Sequence, residues 1–173
     1  MALLATPPRS GLAAFYEEFG KAGMIVRLFY LRRLWGMDIA PNCVISMSAN
    51  LGKHHPRGIH IGADTVVQFG SYVLTYDQVR GRALDTWIGK KCQICARSIV
   101  FPGVKIGDNC IVTAGSVVVD DVPANCVVAG NPARVIERGI KIDRWGGIDR
   151  VVHGKFGRSS PAVEGEPESR LKH

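Results

Sequence analysis

From Ile88 to Ala129 the chain reads IGKKCQICARSIVFPGVKIGDNCIVTAGSVVVDDVPANCVVA, and it repeats with a period of six. Apolar residues fall at Ile88, Ile94, Val100, Ile106, Val112, Val118 and Ala124. A small or β-branched residue follows four places after each: Cys92, Ser98, Val104, Cys110, Ser116, Val122 and Val128. A period of six matches neither a helix nor the simple alternation of a strand. It is the period of a solenoid whose short flat faces meet at regular corners, with the aliphatic side chain inside and the small residue closing the next corner. Gly89 and Gly107 follow the aliphatic position, where a tight corner is expected.

The same rhythm starts earlier, at Ile39, Ile45 and Leu51, and resumes at Ile61, Val67 and Val73. Two insertions break it. The first, residues 52–58, carries Lys53, His54, His55 and Arg57. The second, residues 74–87, reads LTYDQVRGRALDTW. Both are too polar or too long for a corner, and loops thrown out of a rigid solenoid are where binding and catalysis concentrate.

The flanks are of another kind. Residues 1–11 read as a loose tail. Residues 12–35 read as helical, broken around Gly20 and Gly23, with apolar runs interrupted by Lys21, Arg27, Arg32 and Arg33. That segment is too short and too charged to span a bilayer. It suits a cap on the open end of the solenoid, or a basic amphipathic segment at a membrane surface. After the array, Gly130-Asn131-Pro132 turns the chain out, a short helical stretch is expected, and residues 140–155 can pack back on the body. Residues 159–173 are polar and apolar-poor, the composition of disorder. The organisation expected is a tail and helical cap (1–36), a solenoid (37–130), a C-terminal extension (131–158) and a terminal tail (159–173).

The net charge of +7 suits anionic ligands or an acidic surface. No nucleic-acid-binding motif is evident. Of the five cysteines, Cys43, Cys92 and Cys110 occupy the small-residue slot, where a thiol acts as a small hydrophobe. The hexad phase therefore accounts for Cys92 of the Cys92-x-x-Cys95 pair, and no metal site is expected. Reduced thiols, with an opening MALLATPPRS that lacks a basic, long-apolar leader, point to the cytoplasm, or to the inner face of the membrane if residues 12–35 bind it.

With these residues in hand, the chain resembles the hexapeptide-repeat acyltransferases, which are left-handed parallel β-helices. The resemblance covers residues 31–138 and is sharpest in PGVKIGDNCIVTAGSVVVDDVPANCVVAGNPARVI, residues 102–136. LRRLWGMDIAPNCVISMSANL, with PRGIHIG after it, looks like a polysaccharide-biosynthesis branch. The resemblance implies an all-β fold, with a helical segment before the β-helix and a short extension after it. It also implies a homotrimer with sites between neighbouring β-helices, acetyl-coenzyme A along the groove, and a saccharide acceptor near the protruding loop. A histidine of the family acts there as general base, because an alcohol is a poor nucleophile until its proton is taken.

The sequence departs from the family at that histidine. A pattern like L-T-H-D is expected, and the chain reads Leu74-Thr75-Tyr76-Asp77. A phenol, with an ordinary pKa of about 10, is a weak base at neutral pH. Tyr76 can orient the acceptor while another histidine supplies the base; His54, His55 and His60 are the candidates, with His60 expected to point outward. A second reading is a slow enzyme that works by positioning alone, which can contribute about 7–11 kcal/mol, without the roughly 100- to 10,000-fold help of a general base. A third reading is a catalytically silent relative that binds ligand or scaffolds others. Asp77 is retained, and Asp85 and Thr86 fit the rim of an acceptor site.

For the coenzyme, the resemblance places Ala96 and Ala114 where a thin pantetheine arm meets the wall. Arg134 falls near the nucleotide end, where a guanidinium suits phosphate. Val119-Asp120 stands where Thr-Lys is common, and Glu137, with Arg138 next to it, where a basic residue is common, so phosphate contact is expected to be reduced or to be met by other basic groups. The leading expectation is O-acetylation of a sugar in a surface polysaccharide or glycolipid. N-acetylation of an amino sugar and a non-catalytic trimer are its rivals. A carbonic-anhydrase-type metal enzyme would need three converging histidines, a spacing that His54, His55 and His60 lack.

Overall fold

The computed structural model describes residue 23 and residues 26–142. Expectations for the N-terminal tail, for the first part of the helical segment and for residues 143–173 lie outside the described residues.

The hexads fold into stacked coils of three short parallel strands each. The first coil is β1 (Asp38–Ile39), β2 (Val44–Ile45) and β3 (Asn50–Leu51), and the second is β4 (Ile59–Ile61), β5 (Val66–Val67) and β6 (Tyr72–Val73). A hairpin, β7 (Tyr76–Asp77) and β8 (Arg82–Ala83), interrupts before the third coil of β9 (Thr86–Ile88), β10 (Gln93–Ile94) and β11 (Ile99–Val100). The fourth coil is β12 (Lys105–Ile106), β13 (Ile111–Val112) and β14 (Val117–Val118). Equivalent strands stack into three sheets, ordered β1-β4-β9-β12, β2-β5-β10-β13 and β3-β6-β11-β14. The register is regular: Val44, Val66, Gln93 and Ile111 pair in one column, and Ile45, Val67, Ile94 and Val112 in the next. This is the all-β parallel β-helix expected.

The second residue of each pair points into the prism. Ile45, Val67, Ile94, Val100, Val112 and Val118 are all but inaccessible to solvent. Each such side chain stabilises the fold by about 1.5–3 kcal/mol relative to exposure. The seventh hexad position differs from expectation. Ala124 is exposed, and Val122 takes the core place instead, bridged to Ile106.

The corner between the first and second sheets explains the rest of the repeat. Asn42, Asp64, Lys91, Asn109 and Asn125 all adopt positive φ there, a conformation that, after glycine, asparagine and aspartate tolerate best. The next residue in each coil is Cys43, Thr65, Cys92, Cys110 or Cys126, and each is buried. Thr65 Oγ1 and the Cys43, Cys92 and Cys110 thiols donate to backbone carbonyls of the neighbouring coil at 2.8–3.1 Å. Gly89 and Gly107 are required for a different reason than expected. Their φ is not positive. A Cβ on Gly107 would lie 2.6 Å from the Ala124 nitrogen, and one on Gly89 2.7 Å from the Asp108 nitrogen, so stacking itself excludes a side chain. The Cys92-Cys95 pair splits: Cys92 is inside, while Cys95 lies outside the prism against Ile111, Val127, Ile140 and Ile142.

Both ends are covered. A helix over residues 26–33, α1, sets Leu31 into the core, with Leu28 and Trp35 against it. Arg27 fixes it, donating through Nη1 to the Met47 carbonyl and through Nη2 to the Ala49 carbonyl at 2.7 Å. At the other end the helix expected after Pro132 is a strand. β15 (Cys126–Gly130) and β16 (Ala133–Arg138) form an antiparallel hairpin that extends the second sheet. An open edge offers ladder partners, and pairing overrides the modest helical preference of the sequence. Ile140 and Ile142 then pack back over the outer face of that sheet.

Candidate active site

The two insertions leave the prism at the same corner, one coil apart, so they stack on each other. Thr75 Oγ1 donates to the His55 carbonyl at 2.8 Å, and His55 Nε2 lies 3.0 Å from Asp85 Oδ1. Gly52 and Gly58 make room for this. A Cβ on Gly52 would collide with Thr75, and one on Gly58 with His55 and with Asp85 Oδ1 at 2.7 Å. The second insertion ends at Asp85. Thr86, expected on its rim, is the buried first residue of β9, where its hydroxyl donates to the Leu74 carbonyl at 2.6 Å.

The second insertion is organised by Asp77. Its Oδ1 accepts the amides of Val79 at 3.0 Å and Arg80 at 3.1 Å, and its Oδ2 meets Arg80 Nη1 at 3.3 Å. These bonds close the turn between β7 and β8, with Gly81 in the left-handed region. The Arg80 amide first, with the Val79 amide and the Arg80 charge, holds the Asp77 carboxyl below the ordinary carboxylate range. Asp77 therefore shapes the loop and is poorly suited to exchange protons at neutral pH.

The hairpin and the first insertion enclose a cleft of about 290 Å³ lined by His54, Tyr76, Asp77, Gln78, Val79, Phe101 and Pro102, with Gly52, Leu74 and Thr75 beneath. The rings of His54 and Tyr76 lie side by side in its lining, centroids 5.7 Å apart and tilted by 38°. An imidazole and a phenol side by side can take a proton from, and orient, one small polar group. Phe101 and Pro102 were missed by reading motifs. Their signal was Phe101 itself, an aromatic next to core Val100 and hence on the outer face.

The other candidates lie elsewhere. His55 is committed to Asp85 and does not line the cleft. His60 is on the outer face of the first sheet, as expected, its Nδ1 3.0 Å from Asp38 Oδ2 and its ring stacked on Trp87 at 3.6 Å. No cluster of three or more metal-ligating side chains occurs among the described residues.

Ala96 and Ala114 occupy the same corner on consecutive coils, tied by the bond from the Gly115 amide to the Ala96 carbonyl at 3.0 Å. Phe69 and Met47 hold that corner in the preceding coils and are exposed. Small residues beside large ones leave a shallow trough bounded by a ridge. Gln68 Oε1 accepts the Ala96 amide at 3.1 Å. Beyond the trough, Arg134 Nη1 lies 3.1 Å from Asp120 Oδ2, in a solvent-exposed ion pair.

Residues 85–120 match the family model described as bacterial transferase hexapeptide (six repeats). Over 138 residues the chain is 34% identical to the putative colanic acid biosynthesis acetyltransferase WcaF of Escherichia coli K12, covering 66% of this chain and 76% of that one. The chain belongs to the hexapeptide-repeat acetyltransferases. Within this superfamily it is also 36% identical, over 83 residues, to the putative acetyltransferase YvoF of Bacillus subtilis. That match covers 47% of this chain and 48% of the Bacillus protein, about half its length. A maltose O-acetyltransferase structure from Clostridium difficile 630 shares the fold, with a TM-score of 0.52 and 23% identity over 75% of this chain and 89% of that one. The hexapeptide-repeat acetyltransferase fold is thus carried by coils 1 to 4, and the cleft lies between the two insertions that leave them.

Proposed function

We propose that this chain transfers an acetyl group from acetyl-coenzyme A to a sugar hydroxyl of a surface polysaccharide or glycolipid. The observation that carries this reading is the cleft in which two separate insertions bring His54 and Tyr76 together. Similarity to a protein named for colanic acid biosynthesis supports a polysaccharide acceptor.

Acetyl-coenzyme A supplies the activated acetyl group. The trough over Ala96 and Ala114 fits its slender arm, and Arg134 at the far end fits a phosphate. Asp120 opposes that phosphate and competes for the guanidinium. In the cleft, Tyr76 orients the acceptor hydroxyl and His54 takes its proton as the oxygen attacks the thioester carbonyl; the C–S bond then breaks, and His54 returns the proton to the departing coenzyme A thiolate. Asp77 keeps the hairpin in shape, and the His55–Asp85 pair holds the two insertions in register. Phe101 and Pro102 offer an apolar wall for the sugar's non-polar face. The site is completed in a homotrimer, for which Phe69 and Tyr72, exposed on the single chain, offer apolar contact surface.

A second reading is a catalytically silent ligand-binding relative. It is favoured by the way carboxylates hold the histidines: Asp85 holds His55 and Asp38 holds His60, both outside the lining of the cleft. Titration calorimetry with acetyl-coenzyme A tests the coenzyme site. Binding in the micromolar to millimolar range is expected, and no heat of binding would remove the acetyltransferase reading. Binding without turnover on any saccharide acceptor would favour the silent relative.

A further inference from the structure

The helix that caps the solenoid is oriented with apolar side chains on both of its faces. Leu28, Leu31 and Trp35 turn toward the core, and Arg27 is tied to carbonyls of the first coil. Val26 and Phe29 on the helix and Leu34 in the turn after it are nevertheless 67%, 65% and 70% exposed, and Tyr30 is half-exposed at the edge of the recess toward the first coil. A cap exposed only to water would carry polar residues there. Met47, beside the Arg27 anchor, adds another exposed apolar side chain.

Among the described residues, the charges nearest this patch are basic. Arg32 and Arg33 are exposed on α1. Arg57 runs against Gly36 just beyond the helix, and Lys53 lines the recess that also holds Tyr30 and Met47. Across residues 26–58 the one carboxylate is Asp38, which is engaged by His60. Tyr30 and Trp35 pack edge to face, ring centroids 6.3 Å apart, each with an apolar body and a polar tip.

We propose that the outer face of α1 docks on an anionic lipid bilayer, the helix lying in the interface. Apolar side chains flanked by arginines, with tyrosine and tryptophan at the boundary, are what such an interface recognises. No helix among the described residues is long and apolar enough to cross a membrane, so contact is parallel to the surface. A second copy of the chain is a poorer occupant, because docking by the same face sets Arg32 and Arg33 against their own counterparts. The proposal is independent of the acetyl-transfer chemistry.

The test is co-sedimentation of the full chain with vesicles of phosphatidylcholine, with and without phosphatidylglycerol. Binding is expected to the anionic vesicles, to fall with added salt, and to be weak on phosphatidylcholine alone. Arg32→Glu with Arg33→Glu is expected to abolish it, each lost arginine alone weakening partition about fivefold. Phe29→Ser with Leu34→Ser is expected to weaken it at least as much, with circular dichroism reporting the fold; the arginine variants decide the matter if that pair unfolds. No sedimentation, or sedimentation indifferent to the arginines, would overturn the proposal. So would self-association in vesicle-free solution that Phe29→Ser with Leu34→Ser removes, since the face would then belong to a second copy.

Discussion

The His54 ring lies 5.7 Å from that of Tyr76 and is inclined to it by 38°, although the two residues come from different insertions. They meet because Thr75 and His55 bond the loops together. If His54 is the base and Tyr76 the orienting group, Tyr76→Phe raises the acceptor KM and leaves acetyl-coenzyme A affinity unchanged. Tyr76→His brings no gain, since an imidazole is already in the cleft. Steady-state kinetics checks both, and a large gain from Tyr76→His would show that the natural chain is impaired at this position.

Asp77 accepts bonds from two amides and a guanidinium, so its loss is structural. Asp77→Asn keeps an acceptor for the amides and is expected to retain most activity. Asp77→Ala is expected to lose it along with hairpin order. Because the folded carboxyl sits below the ordinary range, its contribution is complete above a pH of about 4, the unfolded value, and is lost as pH falls through the folded pKa. Amide signals of Val79 and Arg80 should titrate with a midpoint below that value. A midpoint at or above it would contradict the assignment.

The Arg134–Asp120 pair is exposed on both sides, and pairs of this kind contribute at most about 1 kcal/mol. Asp120→Asn should therefore tighten acetyl-coenzyme A binding by no more than about fivefold. Arg134→Ala should weaken it, and the gain from Asp120→Asn should vanish in the Arg134→Ala background. Calorimetry on the four proteins forms the cycle.

Stacking distance sets the tolerance of each glycine. Gly107→Ala places a Cβ against the Ala124 backbone and is expected to destabilise by about 1–3 kcal/mol. Gly115→Ala meets nothing within 4 Å and carries only the left-handed backbone penalty, about 1–2 kcal/mol. Each kcal/mol lowers Tm by about 2–4 °C in a chain of this size. Thermal melts should rank Gly107→Ala as the more damaging, with the difference largest if the coils cannot separate.

The Cys43 and Cys92 thiols should be inert. Hydrogen bonding with Cys110 and burial push the Cys92 thiol far up, and burial pushes up Cys43 and Cys95. Native protein is expected to react with a thiol reagent many times more slowly at Cys43 and Cys92 than denatured protein does, followed by mass spectrometry of each peptide.

The coils were legible because a side chain every six residues must enter the prism, as Ile94, Val100 and Val112 do. What was not legible depends on partners distant in sequence. Ala133–Arg138 has a local pattern compatible with a helix, and it is a strand because Cys126–Gly130 offers it an edge. Ala124 is in phase by count, yet Val122 occupies the core because the chain shortens its path after β14. In the site, Tyr76 and Asp77 were visible as departures from and agreements with a motif. The selection of His54 over His55 and His60 came only from the folded loops, where two of the three histidines are taken by carboxylates. Neither loop has a periodicity that fixes its conformation.

The most direct test is coenzyme A release coupled to acetyl-ester formation on a saccharide acceptor, comparing the natural chain with His54→Ala at saturating acetyl-coenzyme A. Acetylation by the natural chain is expected, with a loss of about 100- to 10,000-fold in kcat on removing His54 and coenzyme affinity retained. Equal turnover by the two proteins would contradict His54 as the base, and no acetyl transfer by the natural chain to any saccharide acceptor would contradict the assignment itself.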